Sequence, residues 1–167
     1  LIGAPFAGAS VAGAGAGAGA VYLIPGSWVD EALGDGPGER SLADAPWVWV
    51  GAEAGMHLGA ALSVLGDVDG QGRVDLLMGA DRHLEDTSCP PAGGAFIVMG
   101  EGLALGQVTL PGPGAQRVGS DEDGGCLRTG APVTGGADFN GDGAPDLWIG
   151  SKVNPGGDGA SLFLGGP

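Results

Sequence analysis

Two short acidic stretches contain the residue types best suited to chemistry in this chain. The first reads GDVDGQGRVDLLMGA (residues 66 to 80) and the second reads ADFNGDGAPDLWIGS (residues 137 to 151). Each places carboxylates at alternate positions of a glycine-rich loop, directly before an apolar run. Alternating side chains on a tightly curled loop can direct their oxygens to one point, and Ca²⁺ binds six to eight such oxygens. The two stretches therefore predict two cation sites.

The predicted ligands occupy positions one, three, five, seven and nine of each loop. Position seven contributes its backbone carbonyl, and the glycine at position six provides the backbone freedom that the turn requires. The ligands are Asp67, Asp69, Gln71, Arg73 and Asp75 in the first loop, and Asp138, Asn140, Asp142, Ala144 and Asp146 in the second.

Three carboxylates in each loop would repel one another unless a divalent cation lay between them. We therefore expect one structural Ca²⁺ in each loop, two in all. Mg²⁺ fits less well, because it seldom accepts a cage built of many protein ligands. The alternative is a pair of metal-free turns, since Asp, Asn and Gly favour turns by themselves.

The EF-hand calcium loop begins with the same spacing but requires a bidentate Glu at position twelve. Met78 and Ile149 stand at that position here. The flanking sequences VDLLMG and PDLWIG are short, strand-like runs and do not have the pattern of helices. The spacing therefore argues against an EF-hand.

Glycine and proline indicate the fold class. The chain has 38 glycines and 12 prolines among 167 residues, and they separate short apolar runs such as VYLI, WVWV and FIVM. Such runs, bounded by turn residues, are typical of strands. Apolar residues do not recur at helical spacing over three turns anywhere in the sequence. The predicted fold class is all-β.

Composition and motifs exclude several functions. The net charge is −14, from 20 acidic and 6 basic residues, which argues against binding to nucleic acid. The sequence contains no run of 18 apolar residues, so no membrane span is predicted. The sequence lacks G-x-S-x-G, H-E-x-x-H and P-loop motifs, so we expect no enzyme activity in this segment.

His57 is expected to pack within a strand, and His83 to lie in a solvated loop.

The chain also repeats itself with a period of about seventy residues. Asp67 and Asp138 are 71 positions apart, and so are Gly79 and Gly150. Each unit runs from a Gly-Ala strand through an acidic loop to an apolar strand ending in Gly, and then to a Gly-Ala-aromatic strand. A fixed period of this kind indicates an array of small sheets that bury their faces against their neighbours.

Three features carry a family resemblance: the sequence LIGAP, the sequence HLG, and the two acidic loops before D-L-[LW]-[MI]-G. On these features, nearly the whole chain resembles the FG-GAP repeats of integrin α-subunit β-propellers and their bacterial relatives. The resemblance implies blades of four antiparallel strands, about two and a third of them in this chain. Residues 1–52 would form an incomplete first blade, residues 53–119 the second, and residues 120–167 an incomplete third. So few blades cannot close a ring. We therefore expect part of one larger propeller domain; ring closure by association is the alternative.

The same resemblance implies a secreted or cell-surface protein that serves as an adhesion or binding scaffold. Its partners would be further blades of the propeller and a protein or glycan ligand on the face opposite the metal loops. The non-catalytic propeller portion of a larger extracellular enzyme is the alternative. In such a propeller Cys89 and Cys126 would lie on that opposite face, where they could form a disulfide in an oxidising compartment. Two free thiols are the alternative.

Overall fold

The computed structural model describes residues 1–8, 14–29, 40–81, 93–103, 105–118, 127–153 and 157–163. Within these residues the fold is all-β, as the sequence predicts, with only short helical turns. No helix in the described ranges is long and apolar enough to cross a membrane. The strands are β1 (Ile2–Ala4), β2 (Ala20–Leu23), β3 (Trp47–Gly51), β4 (Leu58–Gly66), β5 (Asp75–Ala80), β6 (Gly94–Val98), β7 (Gly106–Leu110), β8 (Ala115–Val118), β9 (Leu127–Ala137), β10 (Asp146–Val153) and β11 (Gly157–Phe163).

The described strands form three open sheets. The first has the order β1-β2-β3-β7, the second β4-β5-β6-β8, and the third β9-β10-β11. Neighbouring strands are antiparallel, with one exception: β7 runs parallel to β3, where Trp47 pairs with Gly106 and Gly51 with Leu110. The first sheet therefore obtains its fourth strand from further along the chain, and residues 111–114 return the chain to the second sheet.

The sheets stack in chain order, and the second sheet is buried on both faces. One face packs on the first sheet and contributes Leu58, Leu76, Met78, Ala80, Phe96 and Val98, opposite Val21, Trp49 and Leu110. The other face packs on the third sheet and contributes Leu65, Leu77, Ala95 and Ile97, opposite Val133, Leu147 and Ile149. Because both faces are covered, β6 and the residues of β5 after Asp75 are continuously apolar and do not alternate with polar residues.

The far face of the first sheet is closed by its own chain. Tyr22, Val48 and Val50 are buried there beneath apolar side chains from the first residues of the chain and from the segment around a short 3₁₀ helix, Leu42–Asp44. These side chains form a separate small core on this side of the first sheet.

Glycines allow the backbones of adjacent sheets to approach closely. A Cβ atom on Gly3 of β1 would overlap the carbonyl oxygen of Gly59 in β4, and one on Gly79 of β5 would overlap that of Gly130 in β9. Gly59 and Gly130 have φ values of 91° and 107°, which favour glycine. The two sheet interfaces are thus built by the same positions of the repeat.

Replacing Gly79 with alanine should destabilise the fold, because the added methyl group would meet the Gly130 carbonyl. We expect a loss of about 1–3 kcal/mol in the free energy of unfolding, as for other overpacked positions. Gly26→Ala is the matched control, since no atom lies within 4 Å of a Cβ placed there. Urea denaturation measures both variants, and equal stability would contradict the proposed packing constraint.

Candidate metal centre

Each acidic loop joins the first strand of a sheet to the second. Residues 67–74 connect β4 to β5, and residues 138–145 connect β9 to β10. The two loops lie at the same end of neighbouring sheets, since a Cβ on Gly66 would be 3.4 Å from the ring of Pro145. The buried strand that follows each loop positions the acidic residues at the edge of the stack.

The first loop gathers three carboxylates. One oxygen from each of Asp67, Asp69 and Asp75 lies within 4.8 Å of the other two. Asp67 is half-buried, Asp69 is exposed and Asp75 is buried, so the group opens to solvent on one side. Among the described residues this is the only such group of three acids or histidines. Three hard oxygens at this spacing suit a divalent cation such as Ca²⁺.

Backbone N–H groups hold the carboxylate of Asp67 in place. The N–H of Gln71 donates to Oδ1 at 2.9 Å, and that of Gly72 donates to Oδ2 at 2.7 Å. Asp69 accepts a longer bond, of 3.2 Å, from the N–H of Gln71. Gly70 and Gly72 have φ values of 75° and 82°, which glycine adopts without strain. The loop therefore orients its acidic side chains through its own main chain.

Asp75 connects the loop to the body of the second sheet. Its side chain is 1% exposed. Its Oδ2 accepts the N–H of Val68 at 2.8 Å, and its Oδ1 accepts the N–H of Gly100, at the end of β6, at 2.7 Å. The sequence predicts Asp75 only as a ligand. The bond to Gly100 has no local sequence signal, because β6 is placed by strand pairing.

The second loop turns around Asp138 in the same way. Its Oδ1 accepts the N–H of Gly141 at 2.6 Å, and its Oδ2 accepts that of Gly143 at 2.8 Å. The N–H of Gly143, with those of Gly141, Asp142 and Asn140, lowers the pKa of the Asp138 carboxyl below its usual value, although desolvation opposes this shift. Asp138 therefore stays ionised, as a cation ligand must be.

In the second loop Asp146 is held as Asp75 is in the first, whereas Asp142 stands where the first loop has Gln71. The Nδ2 of Asn140 donates to Oδ2 of Asp142 at 2.8 Å, and the N–H of Ala144 donates to Oδ1 at 2.8 Å. Asp146 is buried and accepts the N–H of Phe139 at 2.6 Å. This loop does not bring three carboxylates as close together as the first loop does. A cation there would compete with Asn140 for the carboxylate of Asp142.

The ligand roles of all ten predicted donors stay predictions. Gln71 and Arg73 are exposed, and Ala144 is half-buried. Asp67, Asp69 and Asp75 are the residues that the fold brings close together, in a group that could hold a cation. Cys89, Cys126 and His83 lie outside the described residues, so the predicted disulfide is untested.

His57 combines packing with a polar contact that the sequence analysis missed. Its ring is buried and meets Phe6 edge-on, with 5.0 Å between the centroids. Its Nδ1 lies 3.1 Å from Oδ1 of Asp81, and its φ is 54°, which is unusual outside glycine. A weak signal was present, because Asp81 stands in the second unit where Pro5 follows Gly-Ala in the first.

Comparison with protein-family models and with curated proteins gave no match for this chain. The resemblance to the FG-GAP repeats therefore stays a prediction from the sequence motifs.

Replacing Asp75 with alanine should destabilise the metal-free protein, because the N–H groups of Val68 and Gly100 would lose their acceptor. Each buried group left unpaired costs about 1–3 kcal/mol. The exposed Asp69→Ala is the control, and we expect its effect to stay within about 0.5 kcal/mol. Urea denaturation in the presence of a chelator measures both. If the two variants lost the same stability, Asp75 would have no structural role apart from the metal.

Proposed function

We propose that this chain is a calcium-binding segment of an FG-GAP-type β-propeller in a secreted or cell-surface protein, where it serves as an adhesion or binding scaffold. In this proposal each sheet is one blade, β5 and β10 are second strands of their blades, and the two acidic loops hold structural Ca²⁺. Further blades of the same propeller are its nearest partners. No catalytic role is proposed for this segment.

The single observation that carries the proposal is the carboxylate group of Asp67, Asp69 and Asp75, whose oxygens lie within 4.8 Å of one another. A second loop lies 71 residues later, at the same end of the next sheet, with acids again at positions one and nine and a third acid at position five in place of three. One acidic turn would have little weight, since acidic turns are common. Two acidic turns at equivalent places in the repeat, each followed directly by a buried strand, favour a repeated cation site.

The ion would brace the hairpin between the first two strands of a blade. Asp67 and Asp69 lie on the loop, whereas Asp75 begins β5 and is hydrogen-bonded to Gly100. A cation held by all three would therefore join the loop to the sheet. It would also neutralise the repulsion among carboxylates in a chain whose net charge is −14.

A binding role is best supported at the sheet end opposite the acidic loops. Phe6 follows β1 at that end and is 78% exposed, and it packs on the His57–Asp81 pair. An exposed aromatic ring beside hydrogen-bonding groups suits contact with a protein or glycan. Ligand contacts there would leave the metal sites free to act as braces.

Calcium titration by calorimetry tests the metal sites. We expect two saturable sites in the native protein, and Asp69→Ala should weaken the first by more than about tenfold, since affinity depends on the number of charged ligands. The Asp69→Ala, Asp142→Ala double variant should lose both. The free energy of unfolding of the native protein should rise with calcium, by about 2.7 kcal/mol for each site at a calcium concentration one hundred times its dissociation constant.

Glu101→Gln is the matched control, because it removes one exposed acidic charge outside both loops. It should leave the titration unchanged. Equal weakening by Glu101→Gln and Asp69→Ala would indicate a general charge effect. An absence of saturable binding at millimolar calcium would reduce both loops to metal-free turns.

A further inference from the structure

An open cleft lies between the first two sheets, beside β7, and we call it the β7 cleft. On the side of the first sheet it is lined by Trp49 of β3 and by residues 107–109 of β7. On the side of the second sheet it is lined by Val98 of β6 and by the turn of residues 111–114. Its volume is about 610 Å³. Small-molecule sites in proteins measure about 300–1,000 Å³, so the cleft has the size of a ligand site.

The chemistry of the lining favours a neutral ligand. Trp49 and Val98 belong to the core shared by the two sheets, and Val108 packs against that core. Two proline rings of the turn add further apolar surface, and the polar side chains of the lining are an amide and a hydroxyl. Among the described residues that line the cleft, none is ionisable. A charged ligand would therefore lose its hydration there without gaining an ion-pair partner.

The turn between β7 and β8 forms an ordered wall of the cleft. The N–H of Ala115 donates to the carbonyl of Gly112 at 3.3 Å, and that of Met99 donates to the carbonyl of Gly114 at 3.3 Å. A Cβ atom on Gly112 would overlap the carbonyl oxygen of Thr109, so the turn packs closely on β7. Its two prolines restrict the backbone further. A wall that is already ordered lowers the entropic cost of binding a ligand.

Charged side chains line a second cavity, which shares only Pro111 with the β7 cleft. Glu53 and Arg117 belong to its lining, together with apolar residues of both sheets. Its volume is about 130 Å³, which is below the range of ligand sites. The β7 cleft therefore combines a sufficient volume with an uncharged lining, whereas the second cavity has neither property.

We propose that the β7 cleft binds a neutral, largely apolar small molecule. The bound molecule would lie against Val98 and Val108, with the exposed side chain of Thr109 beside it. This site involves neither the acidic loops nor Phe6, and it requires no metal. The proposal is therefore independent of the function proposed above.

Titration with a neutral fluorescent probe, phenylnaphthylamine, tests the proposal on the 167-residue protein. We expect saturable binding at a single site, with intermolecular nuclear Overhauser effects between the probe and the methyl groups of Val98 and Val108. The anionic analogue anilinonaphthalene sulfonate should bind more than about tenfold more weakly, because its sulfonate would be desolvated without a partner. High salt screens the net charge of −14 in both titrations. A chelator is present throughout, so a failure of calcium binding would leave these results unchanged.

Substitutions on β7 and β8 locate the binding. Thr109→Trp should weaken probe binding by more than about tenfold, because the larger side chain would fill part of the cleft. Gln116→Trp is the matched control, since Gln116 is exposed and pairs with Ile97 on the face that meets the third sheet. Thr109→Val has nearly the same shape and should leave the affinity within about threefold, as for other exposed substitutions. Thermal melts establish that each variant is folded.

The proposal is overturned if the neutral probe shows no saturable binding, or if Thr109→Trp and Gln116→Trp weaken its binding equally. It is also overturned if the anionic analogue binds as tightly as the neutral probe. If Thr109→Trp does not fold, the nuclear Overhauser effects in the native protein decide the question. Effects at Val98 and Val108 would support the site, and effects confined to other residues would overturn it.

Discussion

The close approach of neighbouring sheets at glycine is the constraint on which the rest of the structure depends. Gly79 of β5 faces the carbonyl of Gly130 in β9 with no room for a side chain between them, and Gly3 faces Gly59 in the same manner. At this separation the side chains around each contact are excluded from water, so the second sheet is buried on both faces. The stacking also decides where the acidic loops lie.

The acidic loops depend on this stack more than their exposure suggests. Asp75 is buried, and its two oxygens are held by the N–H groups of Val68 and Gly100. A buried carboxylate is costly unless it is paired or hydrogen-bonded. Its hydrogen bonds therefore serve the fold, and the same position places an oxygen beside Asp67 and Asp69. The structural role and the proposed metal-binding role therefore meet in one residue.

Much of the fold and of the site follows from local patterns. The strands β5 and β10 contain predicted apolar runs, β4 and β9 correspond to the Gly-Ala strands of the repeat, and the positions of the acidic loops between them follow from the sequence. The parallel strand β7 was not predicted, because its pairing with β3 joins segments more than fifty residues apart and leaves no periodic signal. The hydrogen bond between His57 and Asp81 was also missed, since β4 and β5 bring them together.

The sequence by itself determined the all-β class, the repeat of 71 residues and the donors of both loops, because each depends on residue type and spacing within a short segment. The tertiary structure decided which donors converge. Asp67, Asp69 and Asp75 form a three-carboxylate group, whereas in the second loop Asn140 binds the carboxylate of Asp142. It also decided that Trp148 is exposed where Leu77 is buried. Burial depends on what packs against a strand, and no single segment of sequence contains that information.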